Sequence, residues 1–240
     1  MEKMSEEDFI KRLQEIGVNL SQKQINMFRI YLNTLLEYNA HTNLTAIKTP
    51  DEVYLKHFYD SLMILKYRQF ERESILDLGC GAGFPGVPLK IVCPNVNLTC
   101  LDSNGKKTKF LEELKVKLNI DFDVVNDRAE KYIEKKREYF DFVVSRAVAS
   151  MPILCELCMP FVKINGEFIA YKGNINNEKE DGKFACAILG GEIGAIYEDE
   201  LPIEESRRTF VCVHKKCKTE PIYPRLYEKI IKKPLQNLGK

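Results

Sequence analysis

The chain predicts an α/β protein: an open, doubly wound, mostly parallel sheet preceded by an N-terminal helical extension. Three observations carry this reading. From residue 73 onward, short apolar runs alternate with helical stretches, the pattern of parallel strands joined by crossover helices. Residues 1–72 hold helical patterns only. A buried-strand run at 75–78 leads straight into three alternating glycines and a helix start, the first crossover of such a sheet, where ligands bind.

Each element has its own signal. Ser5-x-x-Asp8 opens an apolar pattern at Phe9, Ile10, Leu13 and Ile16, which Gly17 ends. Ser21-x-x-Gln24 is a capping box for a second helix, with Ile25, Phe28, Leu32 and Leu35 on one face. Thr49-Pro50-Asp51-Glu52 is a third helix start, with Thr as cap and Pro at the first helical position. Between the last two, Tyr38 to Thr45 is polar and aperiodic, and reads as a loop. Strands are predicted at 75–78, 98–102, 122–125, 140–147, 167–172, 195–201 and 209–215. Helices are predicted at 85–92, 106–118, 130–137, 151–162 and 176–189. No long helix separates the last two strands, so they should pair antiparallel at an edge. The organisation expected is an extension over 1–72 packed on a domain over 73–240.

Composition removes several classes. The 240 residues are 45% hydrophobic and 30% charged, ordinary for a globular domain and long enough to bury a core without disulfides. No apolar run approaches the ~20 residues of a membrane span, and the acidic start from Met1 to Asp8 does not read as a signal peptide. A cytoplasmic protein is expected. Its eight cysteines then read as packing thiols. Cys155-x-x-Cys158, the only CxxC, sits in an apolar helical stretch with no second pair at zinc-ligand spacing, so no metal is expected.

The stretch from Ile75 to Gly86 is the most informative. Glycines after a buried strand permit a tight turn and let a ligand approach the backbone, and free amides at the helix start can hold an anion. Gly81-x-Gly83-x-x-Gly86 matches a dinucleotide fingerprint, which makes a nicotinamide-dependent (NAD) oxidoreductase the alternative reading. Asp77-x-Gly79-x-Gly81-x-Gly83 matches the motif of enzymes that bind S-adenosyl-L-methionine. Placement favours the second. The first glycine after the strand, Gly79, comes two residues too early for the dinucleotide register. The Asp77 carboxylate suits the ammonium of a methionyl tail and would repel a pyrophosphate. Asp102, at the end of the second strand, can accept both ribose hydroxyls of either cofactor.

With these residues placed, the chain resembles the RsmG family, also called glucose-inhibited division protein B. The matching segments are Asn39-x-x-x-Asn43-Leu44-Thr45-Ala46-Ile47, His57-x-x-Asp60-Ser61, the glycine loop extended through Phe84-Pro85-Gly86-Val87-Pro88, and Asp102-Ser103. Further on they are Arg128-Ala129-Glu130, Ser145-Arg146-Ala147, Tyr171-Lys172-Gly173 and Tyr223-Pro224-Arg225 with Lys232. The resemblance implies a Rossmann-like class I S-adenosylmethionine-dependent methyltransferase with a seven-stranded, mostly parallel sheet. It also implies activity on N7 of a guanine in small-subunit (16S) ribosomal RNA. Cofactor contacts are expected at Asp77, Gly79, Gly81, Gly83, Phe84, Asp102, Ser103, Arg128, Ala129, Glu130 and Arg146. The chain departs from the family's pattern after Arg225, where the usual Gly and Pro give way to Leu226-Tyr227-Glu228-Lys229-Ile230, a segment that can be helical here.

Guanine N7 has an in-plane lone pair and no proton, so its methylation needs positioning and electrostatics, not a general base. Arg146, Lys172 and Asn39 are the candidates for that positioning. RNA contacts are expected from Asn43, His57, Arg207, Arg208, Lys215, Lys216, Tyr223, Arg225 and Lys232. The +1 net charge hides an asymmetry: residues 206–240 hold 10 basic and 2 acidic side chains, residues 1–205 hold 26 and 33. A basic tail on an acidic body suits an RNA-facing patch on a monomeric enzyme whose partner is ribosomal RNA or the small subunit. The non-enzymatic alternative is a catalytically silent S-adenosylmethionine-binding module, against which intact Asp77, Arg146 and Lys172 argue.

Overall fold

The computed structural model describes residues 3–146 and 149–236. Ala147, the last residue of the predicted fourth strand, and Met1 and Glu2 at the chain start lie outside the described residues. Seven strands form one sheet in the order β3-β2-β1-β4-β5-β7-β6. They are β1 (Ser74–Leu78), β2 (Asn97–Asp102), β3 (Asp123–Asn126), β4 (Phe140–Arg146), β5 (Val162–Lys172), β6 (Gly191–Leu201) and β7 (Ser206–Lys215). The first five are parallel, and β7 runs antiparallel to both β5 and β6 at the edge. The crossover helices are α5 (Gly86–Val92), α6 (Gly105–Leu118), α7 (Ala129–Lys136), α8 (Met151–Cys158) and α9 (Lys179–Ile188). The predicted helix at 151–162 stops early: a 3-10 turn (Met159–Phe161) hands over directly to β5.

The extension forms α1 (Glu6–Glu15) and α2 (Gln22–Thr42); the predicted capping box starts α2 at Ser21, and Ser5 with Asp8 forms another at the predicted start of α1. α2 continues through Tyr38 and on to Thr42, so only the end of the polar segment is loop. The third helical stretch is irregular. α3 (Pro50–Val53) passes into a π-helical turn (Tyr54–Tyr59), then α4 (Asp60–Leu62) and a 3-10 turn (Met63–Lys66). Thr49 makes no side-chain cap bond to the backbone; its hydroxyl donates to Glu52 instead. Single π turns inside helices recur at functional sites, and this one contains His57. After Arg225 the chain is helical, as α10 (Tyr227–Lys232).

The extension does not form a core of its own. Phe9, Phe28, Tyr31 and Phe58 belong to the same buried cluster as Phe84, Phe110 and the apolar residues of α5, α6 and one sheet face. Their rings meet edge-on or tilted at 5.0–5.2 Å, as aromatic quadrupoles prefer. The opposite sheet face is covered by α7, α8, α9 and Ile230 of α10. The extension reaches the glycine loop itself, through Tyr31.

Candidate active site

The loop after β1 is locked from beneath. Gly83 has φ +99°, and a Cβ there would lie 2.7 Å from the Tyr31 hydroxyl oxygen and 2.8 Å from Val87 Cγ2. Tyr31 fills that space, stacks on Phe84 at 5.3 Å and donates to the Ala82 carbonyl at 2.5 Å. A Cβ on Gly86 would lie 2.7 Å from Asp77 Oδ2, which accepts the Gly86 N–H at the same distance. Gly83 therefore serves packing against the extension, not ligand contact.

Most of the loop amides are committed. Gly79 and Cys80 donate to the Leu101 carbonyl, Gly83 and Phe84 to that of Cys80, and Val87 to that of Gly83. Gly81 donates to Asp102 Oδ2 at 2.9 Å. The expectation of free amides for an anion is thus corrected: internal bonds consume the donors that a pyrophosphate would need. The dinucleotide alternative, which rested on the spacing of Gly81, Gly83 and Gly86, is not favoured by a loop with so few free donors.

A cavity of about 490 Å³ opens above the carboxyl ends of β1 to β4. Gly79, Gly81 and Phe84 wall it from β1, Asp102 and Ser103 from β2, Arg128, Ala129 and Glu130 from β3, and Arg146 from β4. Those nine of the expected cofactor residues converge. Asp77 does not reach the wall. It is fully buried under the loop, its Oδ1 lacks a hydrogen-bond partner, and burial raises its pKa to about 7. The donor set suits S-adenosylmethionine. Asp102, at the tip of β2, borders the cavity where a ribose would lie, and Asp127 and Glu130 add carboxylates to the lining.

Beside this cavity lies a second one of about 310 Å³, lined by His57, Asp60, Arg146, Lys172 and Arg208 among others. His57 and Arg146 border both cavities. Arg146 donates to Asp60 Oδ2 at 2.8 Å, to the Lys56 carbonyl at 2.9 Å and to His57 Nδ1 at 3.0 Å. Asp60 takes Arg208 Nε on its other oxygen. His57 stacks on Phe84 at 4.2 Å, and Arg146 lies over the same ring at 5.2 Å. Burial, with Arg146 second, lowers the His57 pKa to about 3. Lys172, which lines the second cavity, donates to the Ala149 carbonyl and pairs with Glu178 at 3.0 Å.

Several expected substrate contacts are placed elsewhere. Asn39 is buried, and its amide donates to the Thr45 and Ile47 carbonyls and accepts from Thr45 N–H, so it braces a loop and does not face a substrate. Asn43 is exposed in a left-handed conformation at the end of α2. Lys215 is fully buried, donating to the Met159 carbonyl and Thr219, and cannot touch RNA. Arg225 is spent on Glu156, a carboxylate with no exposure, through bonds of 2.7 and 2.6 Å. Arg208 faces the second cavity, bound to Asp60. Tyr223 is half-buried, and its carbonyl accepts from Arg137. Arg207, Lys216 and Lys232 are exposed, the first two paired with Glu198 and Glu192. Sequence reasoning gave no role to Asp60, Tyr31, Glu156 or Tyr227. For Asp60 a signal existed: its spacing three residues after His57 places both on one helical face.

Among the described residues, no three or more His, Cys, Asp or Glu side chains converge as a metal-ligand set. The fold and the nucleoside-sized cavity at the β1–β4 tips define a class I S-adenosylmethionine-dependent methyltransferase architecture. Solved structures share that fold: a precorrin-6y C5,15-methyltransferase from Geobacter metallireducens (TM-score 0.51, 12% identity, 73% of this chain and 92% of that one) and M. jannaschii TYW2 in complex with AdoMet (0.54, 12%, 71% and 79%). Residues 24–198 match the family GidB, described as rRNA small subunit methyltransferase G, and the chain belongs to that family. It is 48% identical to the Ribosomal RNA small subunit methyltransferase G of Oceanobacillus iheyensis over 92% of this chain and 95% of that one. It is 46% identical to that of Bacillus cereus over the same shares.

Proposed function

We propose that the protein transfers a methyl group from S-adenosylmethionine to N7 of a guanine in small-subunit ribosomal RNA. Family membership supports the ribosomal RNA methyltransferase activity. The observation that carries the site assignment is that Arg146 and His57 stand at the junction of the two cavities. The larger cavity receives the cofactor, the smaller one the guanine.

Bound there, S-adenosylmethionine supplies a methyl group on a sulfonium. The chain's residues do the rest by placement. Asp102 orients the ribose, and Ala129 and Glu130 border the base. Arg146, fixed by Asp60, His57 and the Lys56 carbonyl, holds its guanidinium at the wall between the cavities. Arg208 and Lys172 at the rim attract the RNA phosphates or the guanine O6. His57 is neutral and keeps no proton in play. N7 attacks with its own lone pair, so no group need remove a proton. To reach it the guanine must leave its stack or lie in a loop.

Of the cations expected to meet RNA, Arg207, Lys216 and Lys232 are exposed and available for phosphate contact. An enzyme of ribosomal RNA works in the cytoplasm, and no described helix is long and apolar enough to cross a membrane. We take the monomer as the working unit. The test is methylation of small-subunit particles from a strain lacking the gene, followed by mass spectrometry of the digested RNA. A new 7-methylguanosine is expected; methylation at any other atom, or none, overturns the proposal.

A further inference from the structure

The C-terminal segment leaves β7, the strand beside the sheet edge, and returns to the cofactor cavity, where two anchors hold it. Arg225 places its backbone N–H (3.0 Å) and its guanidinium on Glu156 of α8, whose carboxylate is fully buried. Ile230 is also fully buried, in the cluster that covers the α8 face of the sheet. Tyr227 lies between these anchors. Tyr227 is part of the cavity wall, and the Arg128 guanidinium lies 5.8 Å from the centroid of its ring.

Strand order tells which end of the cavity this is. Across the tips of β4, β1, β2 and β3 the wall runs through Arg146, Gly79, Asp102 and Arg128. A cofactor with its ribose at Asp102 and its sulfur near Arg146 must point its purine toward Arg128. We propose that Tyr227 is a cofactor-contact residue that closes the base end of the cavity, presenting its ring to the adenosine half of S-adenosylmethionine. This rests on the cofactor reading above. It falls in the stretch where the chain departs from the family's sequence pattern, so the contact is a feature of this chain's helical α10. The same segment carries the exposed Lys232, which places the cofactor cover and a phosphate-binding cation on one short element.

The experiment is calorimetric titration of the full chain with S-adenosylhomocysteine and with 5′-methylthioadenosine, which lacks the amino-acid tail. Loss of aromatic stacking on one base predicts that Tyr227→Ala weakens both ligands by the same factor, about tenfold. Tyr227→Phe stays near wild type, as does Lys229→Ala on the exposed side of α10. If Tyr227→Ala melts early without ligand, Tyr227→Leu keeps the apolar bulk and is expected to show the same loss. Binding of both ligands within twofold of wild type by Tyr227→Leu or Tyr227→Ala overturns the inference. Failure of the wild-type chain to bind S-adenosylhomocysteine would instead overturn the cofactor reading itself.

Discussion

Arg146 donates from Nη2 to Nδ1 of His57 at 3.0 Å. A guanidinium has no acceptor, so this Nδ1 carries no proton and the ring of His57 is the Nε2–H tautomer. Its Nε2 then donates to Thr45 Oγ1 at 2.9 Å, joining the loop braced by Asn39 to the site.

Because burial and Arg146 hold the His57 pKa near 3, we expect no His57 titration between pH 5 and 9. Its ring nitrogens should show one neutral tautomer throughout in ¹⁵N NMR. In the unfolded chain the ring takes up a proton near pH 6.5. The folded state therefore loses stability as pH falls from about 6.5 toward 3. Denaturant unfolding of His57→Asn should show a shallower loss over that range.

Asp77 has the opposite sign. Burial raises its pKa from 3.8 to about 7, so it binds more protons folded than unfolded, and its contribution to stability is lost as pH rises through 7. A cationic ligand nearby lowers that pKa again. Binding of S-adenosylhomocysteine at pH 7 should therefore release a fraction of a proton, read by calorimetry in buffers of different ionisation enthalpy. Asp77→Asn should abolish the release. Equal heats in all buffers for the wild type would contradict this account.

Arg225 should matter for folding more than for RNA. Arg225→Ala strands the fully buried Glu156 carboxylate, a change that costs about 3–5 kcal/mol. Chemical denaturation measures it. Arg225→Ala with wild-type stability and reduced RNA affinity would restore the sequence-based assignment.

Asp60 positions both Arg146 and Arg208 through its two oxygens. Replacing it with Asn weakens both bonds while keeping the shape. We expect kcat to fall about 10- to 100-fold, as a misplaced charge at the reacting centre does. S-adenosylhomocysteine affinity should stay within about threefold, since the ribose and base contacts are untouched. Equal losses in both would assign Asp60 a merely structural part.

Adjacent lysines should separate cleanly. Lys216→Glu is expected to weaken RNA binding with little effect on melting, because Lys216 is exposed. Lys215→Glu should unfold the protein, because it buries a carboxylate facing Glu138, 3.6 Å from the present ammonium. Filter binding and thermal melts distinguish them.

Chain-local signals determined much of this molecule. The capping residues Ser5 and Ser21 start their helices, and the alternation after residue 73 produces the seven strands with the antiparallel pair at the edge. Asp102 and Arg146 reach the cavity because each ends a parallel strand, and Ala129 and Glu130 because they open the helix that follows one; the carboxyl edge of the sheet is a fixed place. What the tertiary structure alone decided is which polar groups already have partners. Lys215 and Lys216 alternate along an extended segment, and only the packing of Met159 and Thr219 over one face tells which is buried. Arg225 and Glu156 lie far apart in the chain, as do Arg208 and Asp60, and Tyr31 and Gly83. A charge or a glycine is visible in the sequence, but whether it is spent on structure or left for a ligand depends on groups brought together by folding.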